Sequence, residues 1–361
     1  MTLRAYCRAI SSTADSNIKL SKLFVLLNMK LSVICPIYNE EKYIVPFLDS
    51  VLQQDFSHDD MEVLLVDGMS RDRTRQIISQ YIAKYPFLRL LDNPERTAPC
   101  AMNVGIKEAK GEVIIRLDAH ALYPSNYFST LVSRLYQLNA DNIGCVLNTD
   151  VLNKTPKTLA IREVLSNRFG VGNSSFRTGV SSACEVDTVP FGCWRREVFQ
   201  KYGLYDKRLV RNQDIELNKR IKRGGGHIFI IPEISCTYLA RETFKALAKN
   251  NYGNGKWNIL TVYYTKYFSS LSLRHFIPLA FVLSLLLPVL LMPLNVWIGS
   301  LALMSLCAYL IALGGVSLAI WKEKRLNFFY LLMSFLTLHL SYGWGSLMGI
   351  FKVIGLKIRG K

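Results

Sequence analysis

The chain has 361 residues, half of them hydrophobic, and a formal net charge of +17. A chain of this length buries an ample core without disulfide or metal staples. The eight cysteines include no CxxC pair and no Cys/His cluster at zinc spacing, which argues against a disulfide scaffold or zinc module and predicts isolated, buried thiols in a reducing compartment. The basic charge fits nucleic acid, an anionic membrane surface or phosphorylated substrates, and it does not choose among them.

The first 28 residues are polar and contain one short apolar patch, at residues 23–27. This patch is too short for the apolar core of a signal peptide. We therefore expect residues 1–28 to be an extension that is disordered or not translated, with a natural start at Met29. The first predicted strand follows at once, from Lys30.

From Lys30 onward, apolar β-branched runs alternate with helical patterns. The predicted strands are residues 31–37, 62–66, 88–91 and 113–117, and the predicted helices between them are 43–54, 73–85 and 99–109. Strands joined by crossover helices form a mostly parallel sheet that is covered on both faces. The pattern predicts a doubly wound α/β nucleotide-binding domain, to which we assign residues 29–240.

The regularity fades after Asp118. The pattern there predicts helices at 126–138, 196–202 and 215–223, strands at 143–147, 185–189, 227–231 and 235–238, and a Gly/Ser-rich loop at 170–182. A loop of this length inside a compact domain is usually functional or disordered.

Two carboxylates end predicted parallel strands, Asp67 after the second strand and Asp118 after the fourth. Ligands of open parallel sheets bind at the carboxyl ends of the strands. Each residue taken singly could equally be a helix cap or a turn former. Together they indicate a ligand site at this edge.

The motifs around these carboxylates occur in a characteristic order. They are Pro36-Ile37-Tyr38-Asn39-Glu40-Glu41, Asp67-Gly68-Met69-Ser70-Arg71-Asp72, Arg96, Asn103-Val104-Gly105 and Asp118-Ala119-His120. In this order they resemble the family 2 inverting glycosyltransferases of the GT-A fold, and most closely the ExoA-like branch that builds succinoglycan and related exopolysaccharides. The resemblance extends from about Lys30 to Trp257, and the order of motifs is more specific than any one of them.

The resemblance implies a donor site at the ends of the first strands. It implies that Pro36, Tyr38 and Glu40 line the nucleoside pocket, that Asp67 binds uracil, and that Arg96 lies near the diphosphate. The implied donor is therefore a UDP-sugar.

The resemblance further implies that Asp118, the first acid of an Asp-x-Asp motif, holds a divalent cation, Mg²⁺ or Mn²⁺, that bridges the donor phosphates. This chain departs from the pattern in two places. Gly68 stands where many members have a second aspartate, and His120 replaces the second acid of the motif. His120 is either a weaker metal ligand or a residue with a donor-binding or structural role.

Asp214 is the candidate general base, which would activate an acceptor hydroxyl. It precedes an apolar-periodic helix, so its position alone favours a helix N-cap. The resemblance implies the catalytic role, because the family carries its base on the second residue of a Glu-Asp pair, and Gln213 replaces only the first. Glu216 is the next candidate, although on a helix it would face away from Asp214.

Two segments resemble parts of the family's acceptor side. Gly192 and Trp194 lie in a loop where a small residue allows close approach and an aromatic ring stacks on a sugar, and a purely structural loop is the alternative. Lys256 and Trp257 occupy the place of a Gln-x-x-Arg-Trp motif that accompanies processive polymerases. Its degeneration here implies transfer of a single sugar, with Lys256 able to contact a diphosphate.

The C-terminal part predicts a membrane region at 276–361. Apolar segments at 276–294, 296–321 and 328–351 are each long enough to cross a bilayer, with a turn at 293–295. Residues 241–275 interleave lysines with aromatic residues, which is typical of an interfacial amphipathic segment on an anionic leaflet. RNA binding would also fit that composition, but the adjacent spans favour the membrane, and we expect no nucleic acid partner.

The topology of the third segment stays open. Basic residues follow both the second and the third segments, and both groups favour the cytoplasmic side, namely Lys322, Lys324 and Arg325, then Lys352, Lys357, Arg359 and Lys361. Three full crossings from a cytoplasmic start would leave only the first group there. The third segment contains His339 and several glycines, and it suits a re-entrant or interfacial helix as well as a spanning one.

These features predict a metal-dependent, inverting hexosyltransferase on the cytoplasmic face of the inner membrane. It would move one hexose, which we expect to be glucose, from a UDP-sugar to a lipid-pyrophosphate-linked saccharide in exopolysaccharide or cell-surface glycan synthesis. A polyprenyl-phosphate hexosyltransferase is the first alternative. The second is a non-enzymatic membrane assembly subunit with an inactive GT-A domain.

Overall fold

A computed structural model of the protein describes residues 30–268 and 271–359. The predicted N-terminal extension, the start at Met29 and the basic residue Lys361 lie outside these residues. Strand β1 begins at Leu31, directly after the first described residue.

The first half of the chain forms the predicted alternation of strands and helices. Its elements are β1 (Leu31–Ile37), α1 (Ile44–Leu52), β2 (Met61–Asp67), α2 (Thr74–Ile82), β3 (Leu88–Asp92), α3 (Ala98–Glu108) and β4 (Val113–Arg116). Strands β1 to β4 pair in parallel in the order β3-β2-β1-β4. Because these strands are parallel, Asp67 and the residues that follow β4 lie at the same edge of the sheet, as predicted.

The second half extends the sheet with mixed strand directions. Its elements are β5 (Ala121–Leu122), α4 (Tyr127–Gln137), β6 (Asn142–Asp150), α5 (Pro156–Val164), α6 (Arg168–Val171), α7 (Ser175–Thr178), β7 (Cys184–Glu185), β8 (Cys193–Arg195), α8 (Glu197–Tyr202), α9 (Gln213–Arg223) and β9 (Ile228–Leu239). The full order is β3-β2-β1-β4-β8-β6-β9-β5, with β7 on β9. Strand β8 is antiparallel to both β4 and β6, so it joins the parallel half to the rest.

Some predicted elements in this half are wrong in detail. The predicted strands 227–231 and 235–238 form one strand, β9, whose pairing with β6 shifts register between Cys145 and Val146. The strand predicted at 185–189 ends at Glu185. The predicted loop at 170–182 contains the short helix α7, and α5 was not predicted at all, although Thr155 and Thr158 form a capping box at its start.

The sheet is buried on both faces. Val33 and Cys35 of β1 belong to one hydrophobic cluster, whereas Ile34 belongs to the other, which also contains Trp194 and Leu217. Two-sided burial explains why the parallel strands are continuously apolar in sequence. The described cysteines are free, but not all are isolated as predicted, because Cys145 and Cys236 face each other between β6 and β9 with their Sγ atoms 3.6 Å apart.

Four long helices complete the chain. They are α10 (Phe244–Thr265), α11 (Ile277–Leu291), α12 (Val296–Lys324) and α13 (Phe328–Ile358). Within residues 30–268 and 271–359, two helical stretches are long and apolar enough to cross a membrane, Leu273–Leu291 and Val296–Lys324. They match the first two predicted spans to within a few residues.

The third apolar segment, α13, packs along α10 instead of standing apart. Glycines allow this contact, because a Cβ on Gly255 would overlap the carbonyl oxygen of Tyr342, and a Cβ on Gly345 would overlap that of Tyr252. Helix α13 also packs on α5. Its opposite side exposes apolar residues at spacings of three, four or seven positions, namely Phe329, Met333, Leu340, Trp344, Phe351, Ile354 and Ile358. Helix α13 also packs on both candidate spans, α11 and α12, so the topology of this segment stays a prediction.

An ion pair ties the end of α12 to the α/β domain. Lys324 Nζ lies 2.8 Å from Glu163 Oε1 on α5. The basic residues at this end of α12 are thus on the same side as the α/β domain. If α13 does not cross the bilayer, the basic residues after it lie on that side too, and the conflict between the two basic groups disappears.

Candidate active site

The loops after β1, β2 and β3 meet at the carboxyl edge of the sheet. Gly68 lies between two predicted donor residues, because a Cβ at this position would be 3.3 Å from Cδ2 of Tyr38 and 3.5 Å from Cα of Arg96. The Tyr38 side chain is 46% exposed, so its ring is free to contact a ligand. Pro36, at the end of β1, pairs with Val66 of β2 and carries the chain into this loop. The structure therefore brings Pro36, Tyr38 and Arg96 together.

Asp67 is at the same edge, but its side chain is fully buried. Its Oδ2 accepts hydrogen bonds from the Ser70 backbone N–H at 3.0 Å and from Arg75 Nη1 at 2.8 Å. Arg75 also reaches Asp92 at 2.8 Å. In this arrangement Asp67 holds the loop after β2, and a direct bond to uracil would require one of these partners to move.

A buried arginine links two of the predicted site carboxylates. Arg116, the last residue of β4, is 5% exposed. Its Nη2 donates to Asp118 Oδ1 at 3.1 Å, and its Nη1 donates to Asp214 Oδ1. Burial by itself lowers the pKa of Arg116, but Asp214 and Asp118 outweigh burial, and the pKa is raised. The guanidinium therefore remains charged between the two carboxylates.

The sequence analysis missed Arg116. The available signal was a charged residue inside the apolar run Val113-Ile114-Ile115-Arg116-Leu117, two positions before the proposed metal ligand. A charge in a buried strand is expensive unless it is paired, so such a residue is a candidate partner for nearby acids.

Asp214 lies in the first turn of α9, which begins at Gln213. The residue before the helix is Asn212, in the left-handed region with φ of 61°, so the alternative that Asp214 is the N-cap is wrong. Burial raises the pKa of the Asp214 carboxyl, Arg116 opposes this, and the net pKa is above the ordinary value. A carboxylate with a raised pKa is a better proton acceptor than an ordinary aspartate.

Glu216, the next candidate, is not available for this role in the structure. It is 6% exposed, and its two oxygens accept from Arg220 Nε at 3.0 Å and Nη2 at 2.7 Å. Arg220 in turn donates to the backbone of Leu204 at 2.9 Å. This pair fixes the chain before α9 and leaves Asp214 as the carboxylate beside Arg116.

His120 contacts another predicted donor residue, Glu40. The distance between His120 Nδ1 and Glu40 Oε1 is 3.1 Å, and the ring of Tyr238 stands edge-on with its centroid 5.5 Å from that of His120. Burial alone lowers the pKa of His120, but the hydrogen bond to Glu40 and the charge of Asp118 outweigh it, and the pKa is raised.

The residues fit a cation that arrives with a phosphorylated ligand. Among the described residues, no group of three or more His, Cys, Asp or Glu side chains could hold a metal ion by itself. Mg²⁺ is usually held by one or two carboxylates together with substrate phosphates, and Asp118, 21% exposed at its side chain, can supply one. A proton on His120 Nδ1, shared with Glu40, would leave Nε2 as the metal-binding nitrogen, the arrangement that carboxylates commonly impose on metal-bound histidines.

In the predicted acceptor loop, Gly192 and Trp194 both have structural roles. Gly192 has φ of 89°, and a Cβ there would overlap the ring of Trp194, so glycine is needed. Its carbonyl accepts from the Arg116 backbone N–H at 3.0 Å. Trp194 is 1% exposed and packs against Phe199, with ring centroids 5.5 Å apart. Its ring is therefore part of the core and is not exposed for stacking on a sugar.

Lys256 and Trp257 lie on α10, which is bonded to the segment before Asp214. Arg211 Nη1 donates to Asn254 Oδ1 at 2.6 Å, and Asn212 Nδ2 donates to Asn258 Oδ1 at 2.9 Å. The structure thus brings this motif next to the loop that carries Asp214. The contacts of Lys256 and Trp257 with an acceptor stay a prediction.

The mixed α/β sheet, with candidate ligand residues at the carboxyl edge of its parallel half, has the architecture of the GT-A glycosyltransferases. Residues 32–203 match the family described as glycosyl transferase family 2, so this part of the chain is a domain of that family.

Known proteins with similar sequences and folds cover most of the chain. The succinoglycan biosynthesis protein ExoA of Rhizobium meliloti is 28% identical over 69% of this chain and 74% of its own length. The dolichyl N-acetyl-alpha-D-glucosaminyl phosphate 3-beta-D-2,3-diacetamido-2,3-dideoxy-beta-D-glucuronosyltransferase of Methanococcus voltae is 27% identical over 63% and 72% of the two chains. The mannosyltransferase of Pyrobaculum calidifontis, solved with GDP-Man and Mn²⁺, has a TM-score of 0.55 at 17% identity, covering 96% of this chain and 99% of its own.

Proposed function

We propose that this protein transfers a single hexose, glucose from UDP-glucose, to a lipid-pyrophosphate-linked saccharide in exopolysaccharide or cell-surface glycan synthesis, with inversion at the anomeric carbon. The observation that carries the proposal is the bridge that Arg116 forms between Asp118 and Asp214. It holds the carboxylate expected to act on the donor and the carboxylate expected to act on the acceptor within reach of one guanidinium. The names of the two relatives from Rhizobium meliloti and Methanococcus voltae refer to saccharide assembly, and the second name includes a dolichyl phosphate carrier.

The donor would lie over the carboxyl edge of the sheet. The exposed ring of Tyr38 would contact the base, and Arg96 would approach the diphosphate, since both residues flank Gly68. Asp118, with His120, would hold Mg²⁺ or Mn²⁺. The bound cation would supply neutralisation of the charge that develops on the leaving nucleoside diphosphate.

Asp214 would act on the acceptor. Its carboxylate takes the proton of the acceptor hydroxyl while that oxygen forms the bond to the anomeric carbon and the bond to the diphosphate oxygen breaks. Attack from the face opposite the leaving group inverts the anomeric centre and gives a β linkage. Arg116 orients Asp214 through Oδ1 and favours its ionised form.

The catalytic domain would lie on the cytoplasmic face of the inner membrane. The α11–α12 hairpin would cross the bilayer, and α13 would lie at its surface with its exposed apolar side toward the lipid. The basic residues after α12 and α13 would then meet the cytoplasmic leaflet. A lipid-carried acceptor would arrive at the same depth as the active site.

The test is transfer by membranes that contain the full chain. Radiolabelled nucleotide sugars are supplied one at a time with a lipid extract, in the presence of Mn²⁺ or EDTA. Label from UDP-glucose should enter the lipid fraction through a β linkage, and EDTA should abolish the transfer. Transfer to bare polyprenyl phosphate would support the first alternative instead, and absence of both transfer and hydrolysis with every sugar nucleotide would support the inactive subunit.

A further inference from the structure

A polar pocket of about 430 Å³ opens beside the predicted metal motif. It is lined mainly by the end of β6, by α5 and α7, and by one residue of β9, namely Asn148, Thr149, Asp150, Arg162, Arg177 and Thr237. Its volume is in the range of small-ligand sites. None of these residues has a role in the transfer step described above.

The charges of the pocket are incompletely paired. Asp150 has two cationic neighbours, Arg162 Nη1 at 3.5 Å and Lys154 Nζ at 3.9 Å. Arg177 has no carboxylate within ion-pair distance among the described residues, and its polar contact is with Thr149 Oγ1 at 3.4 Å. Burial lowers the pKa of Arg177. With two arginines and one aspartate the lining carries a net positive charge, and a bound anion would supply the partner that Arg177 lacks.

The pocket is adjacent to the catalytic edge. The guanidinium carbon of Arg177 lies 5.6 Å from the centroid of the Tyr238 ring, and the same ring lies 5.5 Å from that of His120. One aromatic ring therefore separates Arg177 from the Asp118–His120 motif. An acceptor whose charged group lay in this pocket would extend directly toward the site of transfer.

Helix α5 places the pocket at the depth of the membrane surface. Arg162 lines the pocket, whereas Ala160 and Val164 of the same helix pack in a cluster with Leu313 and Ile320 of α12. Glu163 binds Lys324, the last residue of α12. Since α12 is a candidate span that ends at this ion pair, the pocket is at the level where lipid head groups would begin.

We infer that this pocket binds the phosphate or diphosphate of the lipid-linked acceptor, an inference that rests on the proposed function. Arg177 is the principal contact and Arg162 is the second. The chemistry recognised is that of anionic phosphate oxygens, for which arginine provides paired N–H donors. The polyprenyl chain would leave the pocket along α5 toward the apolar surfaces of α12 and α13.

The test compares variants that change the charge of the pocket in opposite directions. In the full chain, Arg177→Gln should raise the KM for the lipid-linked acceptor by about 10- to 100-fold, the usual effect of removing a hydrogen bond to a charged group. It should leave UDP affinity unchanged. Arg177→Lys should recover part of the loss, and Asp150→Asn should lower the acceptor KM. Arg134→Gln is the matched control and should change nothing, because Arg134 pairs with Glu233 at 2.8 Å and does not line the pocket.

Three outcomes would overturn the inference. The first is an unchanged acceptor KM in Arg177→Gln. The second is an equal loss of UDP affinity, which would assign the pocket to the donor. The third is a rise of the acceptor KM in Asp150→Asn like that in Arg177→Gln, which would indicate a structural role for the whole cluster.

A binding measurement separates this inference from the proposed transfer reaction. Titration calorimetry of the solubilised full chain with farnesyl diphosphate, in the presence of UDP, should detect binding that Arg177→Gln weakens, and this result needs no sugar transfer. Inorganic pyrophosphate that binds equally well, or phosphatidylglycerol vesicles that compete equally well, would overturn the assignment to a prenyl-linked phosphate.

Discussion

Arg116 Nη1 donates a hydrogen bond to Asp214 Oδ1, although the two residues are 98 positions apart in the chain. Arg116 is the last residue of β4, and Asp214 lies in the first turn of α9. The contact brings the parallel half of the sheet to the helix that carries the proposed base. Loss of the hydrogen bond between Arg116 and Asp214 should therefore affect both the edge of the parallel strands and the position of the proposed base.

Asp214→Asn should lower turnover by about two to four orders of magnitude, because a positioned base contributes about that much. The substitution is nearly isosteric, so affinity for UDP and Mn²⁺ should stay near normal. An acceptor assay run beside titration calorimetry measures both quantities. Glu216→Gln is the matched control, since Glu216 binds Arg220 instead of Arg116, and it should keep turnover within a few-fold. Near wild-type turnover in Asp214→Asn would contradict the assignment.

Asp118→Asn should weaken UDP binding in the presence of Mn²⁺ as well as turnover. The reason is that Asp118 would hold the cation, which would neutralise the charge of the donor phosphates. Calorimetry with UDP, with and without Mn²⁺, should show that the metal-dependent part of the affinity is lost. If the Mn²⁺ dependence survives in Asp118→Asn, the cation has other ligands.

Arg116→Met should move the acid limb of the pH profile to higher pH. Arg116 lowers the pKa of Asp214, so its removal raises that pKa further, and the base becomes deprotonated only at higher pH. In the unaltered protein the raised pKa already means that activity falls, on acidification, at a higher pH than an ordinary aspartate would give. The dependence of kcat/KM on pH measures the shift. Arg116→Lys keeps a positive charge and should shift the limb less, and a thermal melt of each variant checks folding.

Gly345→Ala should destabilise the protein by about 1 to 3 kcal/mol, as overpacking of a close contact usually does. The added methyl group would overlap the carbonyl of Tyr252 on α10. Gly355→Ala is the matched control on the same helix, because nothing lies within 4 Å of its added Cβ. The control should be neutral or slightly stabilising, since alanine favours helix. Thermal unfolding in detergent compares the two, and equal Tm values would refute close packing of α10 on α13.

The local sequence pattern was sufficient to predict the parallel half of the fold. The residues of β1 were predicted without error, because a strand buried on both faces is a continuous apolar run between turn signals. The motifs predict Asp118 and Asp214 as site residues, but they do not predict Arg116, which joins them. Pairing between β4 and α9 is a tertiary contact, and no spacing in the sequence encodes it.

The orientation of side chains was the second feature that could not be predicted from the sequence. The resemblance of its segment to the family's acceptor-side loop predicts that Trp194 stacks on a sugar, yet strand β8 turns its ring into the core. Similarly, α13 was treated as a possible span because its apolar content is high. The role of its glycines is visible only in the structure, where α10 packs against them.

The glycine contacts between α10 and α13 fix the two helices in register with one another. Insertion of one residue in either helix would turn every following side chain by about 100° and replace the glycines at the contact with larger residues. The α11–α12 hairpin that connects them has no such restriction at Gly314 and Gly315, where an added Cβ meets nothing within 4 Å. Among related sequences, α10 and α13 should therefore change length only together, whereas the positions of Gly314 and Gly315 in α12 should accept larger side chains.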